Sequence, residues 1–533
     1  MSSAMVFNDD EEPIAPASNA GKPVRGFSDV GKASVKPYYQ KEAPVAASTV
    51  RVLLDVSSSS STAGRAPLDL VVVLDVSGSM KTASRLEKLK SAMQFVIRKL
   101  TPMDRLSIVT FSSGANKLCA LRAMSQVAMS DLKGTVDGLV AKGGTNIEAG
   151  LATGLQVLAG RRHTAGRTAS VLLMSDGEET RGNAKNVGNP HKFPVYTLSF
   201  GADADMNLLK ELASGGGTFN PVLDNKGMSM LDVFSQLMAG LLTVVVQDLY
   251  LILSKPTVDG HDLDKIVDVA PGDFSQETDS KSGTVTVKFG DLFSGEVRKV
   301  IVELLLKEST GGGGYEAEIL EVEVSYPNAE GTRKKLPGQT LMVKRTPTAS
   351  SGADPEELRN EDVRRQHAKS ITAARSLADE KKLEEAREQL KKAQIELEDI
   401  LENPMVAMLR KELQQLLDLM VSEELYKAEG RPYALAAELS HARQRFAARP
   451  GVDDGVRLFA TPRMDAYLEQ AKKFAENPDE PLPNADVDVE EEIKKAIDNR
   501  PEVEPSILDY YMNFATLLLQ GIGNIVNRLA RRA

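Results

Sequence analysis

The chain of 533 residues contains no tryptophan, one cysteine (Cys119) and five histidines. A single thiol excludes an intrachain disulfide and any zinc module built from thiolates. The histidines, at 163, 191, 261, 367 and 441, stand in no motif that pairs them with a nucleophile. Met174-Ser175-Asp176 is not the G-x-S-x-G elbow of an esterase. A two-metal hydrolase would want several more carboxylates or histidines beside such a site. Positive charge is also short: 65 Lys and Arg stand against 75 Asp and Glu, for a net charge of −10. That balance argues against nucleic acid as a partner. A basic region followed by an apolar core is missing at the N-terminus, and so is any Asn-x-Ser/Thr sequon. The expected location is therefore the cytoplasm or nucleus, not the secretory route. The uncharged run at residues 510–526 is too short and polar for a membrane span. It reads as a docked or oligomerising helix, with contact to a membrane surface as the lesser reading.

What is present begins at residues 70–74, Leu-Val-Val-Val-Leu, an apolar run typical of a strand buried on both faces. It breaks into Asp75-Val76-Ser77-Gly78-Ser79, which sets three hard oxygens at alternate positions of a short loop. Such oxygens suit Mg²⁺, or Mn²⁺ or Ca²⁺, rather than zinc. A Gly-rich loop at 143–144 then presents Thr145 at the start of a helix, and a second buried strand ends in Ser175-Asp176-Gly177. In a parallel sheet all strand C-termini share one edge, where ligands bind.

Taken in order, D-x-S-x-S, G-G-T and a strand ending S-D-G resemble a von Willebrand factor A domain with an intact metal-ion-dependent adhesion site. The resemblance implies a metal held by Asp75, Ser77, Ser79, Thr145 and Asp176. It also implies a protein partner whose Asp or Glu carboxylate completes the coordination. This is recognition rather than catalysis, so the chain is expected to be a non-enzyme.

The remaining pattern defines the domain organisation. Residues 1–43 are polar and read as disordered; the Gly26 to Ala33 stretch nearly matches a P-loop but has Ala33 where Ser or Thr should stand. Residues 44–65 supply a strand and a Ser-rich loop. Residues 66–246 alternate strand and helix, as in a doubly wound α/β fold, with a last helix at 228–246. Residues 247–345 read as short strands of an antiparallel sandwich that the 44–65 strand joins. A linker at 346–355, a helical region at 356–450, a polar linker at 451–505 and an apolar helix at 506–533 complete the chain. A strand, an A domain, a sandwich and a helical region together resemble plant ubiquitin ligases that join this domain to an N-terminal RING finger. Residues 1–44 contain neither Cys nor His, so the RING ligands are missing there. The resemblance thus implies a RING-less relative that recognises substrates in ubiquitination, or competes for them, with those ligases or their substrates as partners.

Overall fold

The computed structural model describes residues 10–14, 33–58, 65–201, 204–224, 227–258, 260–309, 314–327, 332–349, 352–398, 400, 403–450 and 456–498. The chain divides into two units, Met1–Ala485 and Asp486–Ala533. The helix Ala485–Asp498 belongs to the second unit from Asp486 onward.

The α/β part is a sheet in the order Phe219–Val222, Val195–Phe200, Thr168–Ser175, Leu68–Asp75, Arg105–Phe111 and Ala115–Lys117. The first five strands run parallel and the last pairs antiparallel. Every residue of Leu68–Asp75 is buried, as expected of a strand covered on both faces. Its side chains divide with the period of two. Leu68, Leu70, Val72 and Leu74 face the core shared with the helices Arg85–Lys99, Gln126–Asp137 and Met230–Leu241. Val71 and Val73 face the core of Ile147–Ala159 and Met206–Ala213. The helix Ile147–Ala159 lies unusually close to the sheet. A Cβ on Gly150 would sit 2.7 Å from the Phe111 ring, and one on Gly154 would sit 2.6 Å from Val73. That closeness fixes the start of this helix, just past Thr145, against the strand ends.

A second layer pair is a β-sandwich. One sheet orders Ala33–Tyr39, Ser48–Ser58, Val297–Leu306 and Leu263–Ala270, all antiparallel. The other orders Ser275–Thr278, Val285–Phe293, Val244–Ser254, Tyr315–Pro327, Gln339–Thr346 and Glu42–Pro44. Val52, Leu54 and Val56 of one sheet share a core with Leu249, Leu251 and Leu253 of the other. The α/β part is inserted between Ser48–Ser58 and Val244–Ser254, one strand from each sheet.

Three expectations need correcting. The polar segment at 1–43 is not wholly disordered: Ala33–Tyr39 pairs along its length with Ser48–Ser58, and Asp10 is buried beside Arg105. An edge strand needs backbone pairing more than apolar side chains, so composition concealed it. The last helix of the α/β part stops at Leu241, and Val244–Val246 already belong to a strand, as suits a β-branched run. The polar linker at 451–505 contains the helix Pro462–Glu476. Thr461 caps its first turn, and Met464, Tyr467, Leu468, Ala471 and Phe474 are buried at helical spacing. Residues 26–32 of the P-loop near-match and the apolar segment 506–533, with its reading as a docked or membrane-contacting helix, lie outside the described residues. Among the described residues, no helix is long and apolar enough to cross a membrane.

The helical region centres on a buried carboxylate. Glu412, on Pro404–Asp418, meets His367 Nε2 at 2.6 Å, His441 Nε2 at 2.8 Å and Arg449 Nη2 at 2.6 Å. It ties the helices Glu356–Asp379 and Arg431–Arg443 to Arg449, in the segment after the second of them. Although the two imidazoles and the carboxylate lie close enough for a metal, Arg364 Nη1 lies 3.1 Å from His441 Nδ1. With two guanidiniums already facing the cluster, its positive charge is supplied.

Candidate metal-binding site at the sheet edge

Asp75 ends its strand and Ser175 ends the neighbouring parallel one, so Asp75, Ser175 and Asp176 reach the same edge. The loop after Asp75 is fixed by its backbone. Val76 N donates to Phe111 O at 2.9 Å, Lys142 N to Val76 O at 2.7 Å, and Gly78 N to Gly143 O at 3.0 Å. These bonds bring the Gly-rich loop against the D-x-S-x-S loop. The Asp75 carboxylate accepts from Ser77 N at 2.7 Å and from Ser175 Oγ at 2.8 Å, the first an Asx-type turn. Thr145 is held by Thr180: its N donates to Thr180 Oγ1 at 2.9 Å, and its O accepts from Thr180 N at 2.9 Å.

The side chains named from sequence converge. Ser77 Oγ and Ser79 Oγ are 2.9 Å apart, and Ser79 Oγ donates to Asp176 Oδ1 at 2.6 Å. A Cβ on Gly177 would lie 3.6 Å from Thr145 Oγ1 and 3.7 Å from Ser79 Oγ, so both hydroxyls face the same spot. Asp75, Ser77, Thr145 and Asp176 are buried, while Ser79 is exposed. This donor set is all oxygen, which fits a hard cation. Ligands at 2.1 Å on an octahedral Mg²⁺ are about 3.0 Å apart, close to the 2.9 Å between Ser77 Oγ and Ser79 Oγ and somewhat wider than the 2.6 Å from Ser79 Oγ to Asp176 Oδ1. Burial pushes the Asp75 carboxyl up to about 6, against the pull of its hydrogen bonds from Ser77 and Ser175. A bound cation would offset that cost.

Several residues at the site carry no signal in the motif. Arg85, the first residue of its helix, places Nη1 2.9 Å from Asp176 Oδ2. The same guanidinium takes Asp224 through Nε–Oδ1 at 2.9 Å and Nη2–Oδ2 at 2.7 Å. Its hydrogen bond holds the Asp224 carboxyl below the ordinary range. A cation at the first position of a helix opposes the helix dipole; that misfit is the one trace Arg85 leaves in the sequence. Ser175 was legible only as the residue before Asp176. Glu179, three residues past Asp176, accepts from Glu148 N at 2.8 Å and Ala184 N at 2.9 Å. It anchors the helix start.

This fold and site define a class. Residues 70–179 match the family model for the von Willebrand factor type A domain, and the chain carries that domain. Residues 403–473 match a second model, described as VWA / Hh protein intein-like. Among particular relatives, the chain is similar to E3 ubiquitin-protein ligase WAV3 of Arabidopsis thaliana, at 30% identity over 325 residues. The match covers 58% of this chain and 39% of that protein. Probable E3 ubiquitin-protein ligase WAVH2 of the same plant is 32% identical over 258 residues, covering 47% of this chain and 34% of the relative. The chain thus spans less than half the length of these curated relatives. A solved structure, von Willebrand factor type A from Catenulispora acidiphila, superposes with a TM-score of 0.59 at 17% identity, covering 78% of this chain and 97% of that one. It shares the fold. The expectation of a non-enzyme does not stand: these relatives are named as ubiquitin-protein ligases, which are enzymes.

Proposed function

We propose that this chain recognises a protein partner through a divalent metal, Mg²⁺ above others, at Asp75, Ser77, Ser79, Thr145 and Asp176, and that the recognition serves ubiquitin transfer. One observation supports the reading: the Ser77, Ser79 and Asp176 oxygens follow one another at hydrogen-bond distance, and Asp75 and Thr145 stand on the adjoining strand end and loop at the C-terminal edge of one parallel sheet. When bound, the metal supplies an electrophilic position that a partner's Asp or Glu carboxylate fills. The protein's own contribution is positional. Ser77 N and Ser175 Oγ orient the Asp75 carboxylate, and Thr180 holds the loop that presents Thr145. Neutral hydroxyls complete the donor set without adding negative charge, which leaves the cation attractive to an acidic ligand. The similarity to ubiquitin ligases supports substrates or fellow ligases as partners.

The test is capture of partners from plant extract with three baits: wild type in Mg²⁺, wild type in EDTA, and Ser79→Ala in Mg²⁺. Partners held by the first alone support the reading. The same proteins are then offered to the chain with E1, E2 and ubiquitin. Here the variant, not the chelator, serves as control, because ubiquitin activation itself needs Mg²⁺. Identical partner sets from all three baits would move the binding surface away from this edge.

A further inference from the structure

Resting on the metal reading above, we propose that Arg85 is a resident counter-cation that competes with the divalent ion for Asp176 and sets how tightly the site holds it. Arg85 is nearly inaccessible, at 4% side-chain exposure, and Asp176 is fully buried. Their contact is therefore little screened by solvent. Ser79 occupies Asp176 Oδ1 and Arg85 occupies Oδ2, so both oxygens of this ligand are engaged.

The pocket is built for the guanidinium. Gly201, at φ +69°, closes the strand Val195–Phe200, and a Cβ there would overlap the end of Arg85. Only glycine combines that left-handed backbone with the open space. Asp224 supplies the second anchor, through two of the three contacts the guanidinium makes with carboxylates. Asp224 is itself held in place by Lys88, whose Nζ donates to its backbone O at 2.7 Å. Arg85 is thus shared between a ligand of the site and a carboxylate outside it. A cation arriving at Asp176 displaces one charge-assisted hydrogen bond, and Asp224 keeps the arginine in its pocket.

The sharing gives two substitutions opposite signs. Arg85→Met removes the competing charge and frees Asp176 Oδ2. Asp224→Asn weakens the second anchor and leaves the guanidinium committed to Asp176, with more net positive charge beside the ion. Mn²⁺ binding to the full chain, read from the loss of the free-ion paramagnetic resonance signal, measures both. Affinity should rise about tenfold or more in Arg85→Met, the weight of one charge-assisted hydrogen bond, and fall in Asp224→Asn. Melting of the metal-free proteins reports whether each variant is folded.

If wild type binds Mn²⁺ and a folded Arg85→Met binds no more tightly, the competition is refuted while the metal site stands. Where Arg85→Met shows no cooperative melt, Asp224→Asn decides, and an unchanged or tighter affinity refutes the idea. Binding by Arg85→Met alone would support it in its strongest form. No binding by any of the proteins at millimolar Mn²⁺ would overturn the metal reading, and the competition with it.

Discussion

Asp75→Asn should separate what the carboxylate does for the ion from what it costs the fold. Asp75 is fully buried and its hydrogen-bond donors, Ser77 N and the Ser175 hydroxyl, are neutral. The amide can keep both bonds: its Oδ1 accepts from Ser77 N, and its Nδ2 donates to a Ser175 hydroxyl turned to accept. The charge alone is lost. Burial raises the Asp75 carboxyl from 3.8 to about 6, which corresponds to about 3 kcal/mol. A group raised on folding stabilises the native state below its unfolded pKa, and that contribution is lost as pH rises through the folded value. Metal-free wild type should therefore lose stability relative to Asp75→Asn between about pH 4 and pH 6. At pH 8 the variant should be the more stable by about 1–3 kcal/mol, a few degrees in melting temperature. Mg²⁺ at about a hundred times its Kd would return about 2.7 kcal/mol to wild type and little to the variant. The assay is thermal melting of both proteins at pH 4 and pH 8, with EDTA and with Mg²⁺. A metal-free variant that melts below wild type at pH 8 would refute the reasoning, because the buried charge would then be structural.

The helical region should answer to Glu412 in the opposite sense. Glu412→Gln leaves Arg449 without its buried carboxylate partner and should cost about 3–5 kcal/mol, read as an earlier denaturant transition; a cost below 1 kcal/mol would show the cluster to be dispensable. Burial pushes His441 down to about 4, although Glu412 opposes it, so this region should hold its stability above about pH 6.5 and lose it as pH falls toward 4. Burial alone would raise Glu412, but Arg449, His441 and His367 outweigh it and hold it well below the carboxylate range; its loss on acidification has the same sign. Hydrogen exchange at pH 5 against pH 7.5, compared between Pro404–Asp418 and the sandwich strands, checks this: faster opening confined to the sandwich would contradict it.

Much of the site was legible because its parts are local. Asp75, Ser77 and Ser79 lie within five residues, and Thr145 and Asp176 sit where a loop meets a helix or a buried strand ends. What sequence withheld is what depends on partners remote in the chain. Arg85 reaches Asp176 and Asp224 across 91 and 139 positions, and Glu412 gathers His367 and His441 from 45 and 29 positions away. No periodicity records such pairings. The edge strand Ala33–Tyr39 was hidden for another reason: with its ends buried and its middle exposed or half-buried, it shows little apolar alternation. The boundary at Leu241 was missed because an apolar run continues through it, while the backbone changes from helix to strand.

The same strand offers a control on the argument for Asp75. Asp69, near its other end, is equally buried, but Arg105, Arg161 and Arg167 all reach its carboxylate, at 2.7–2.8 Å. Burial pushes this carboxyl up, yet Arg105 and Arg167 outweigh it and hold it below 3.8. At the start of the sheet the negative charge is locked by fixed cations. At the C-terminal edge the Arg85 guanidinium pairs with Asp176 and Asp224 and not with Asp75. Asp69→Asn should therefore destabilise by about 3–5 kcal/mol, because the buried Arg105 and the half-buried Arg161 and Arg167 lose their anion, whereas Asp75→Asn should stabilise the metal-free protein. The two substitutions are chemically identical and lie six positions apart on one strand. Propensity and strand pairing cannot give them opposite signs; the local charge balance can. Equal losses of stability from both would mean that Asp75 is another structural acid, and that its edge of the sheet holds no unpaired charge for a cation to neutralise.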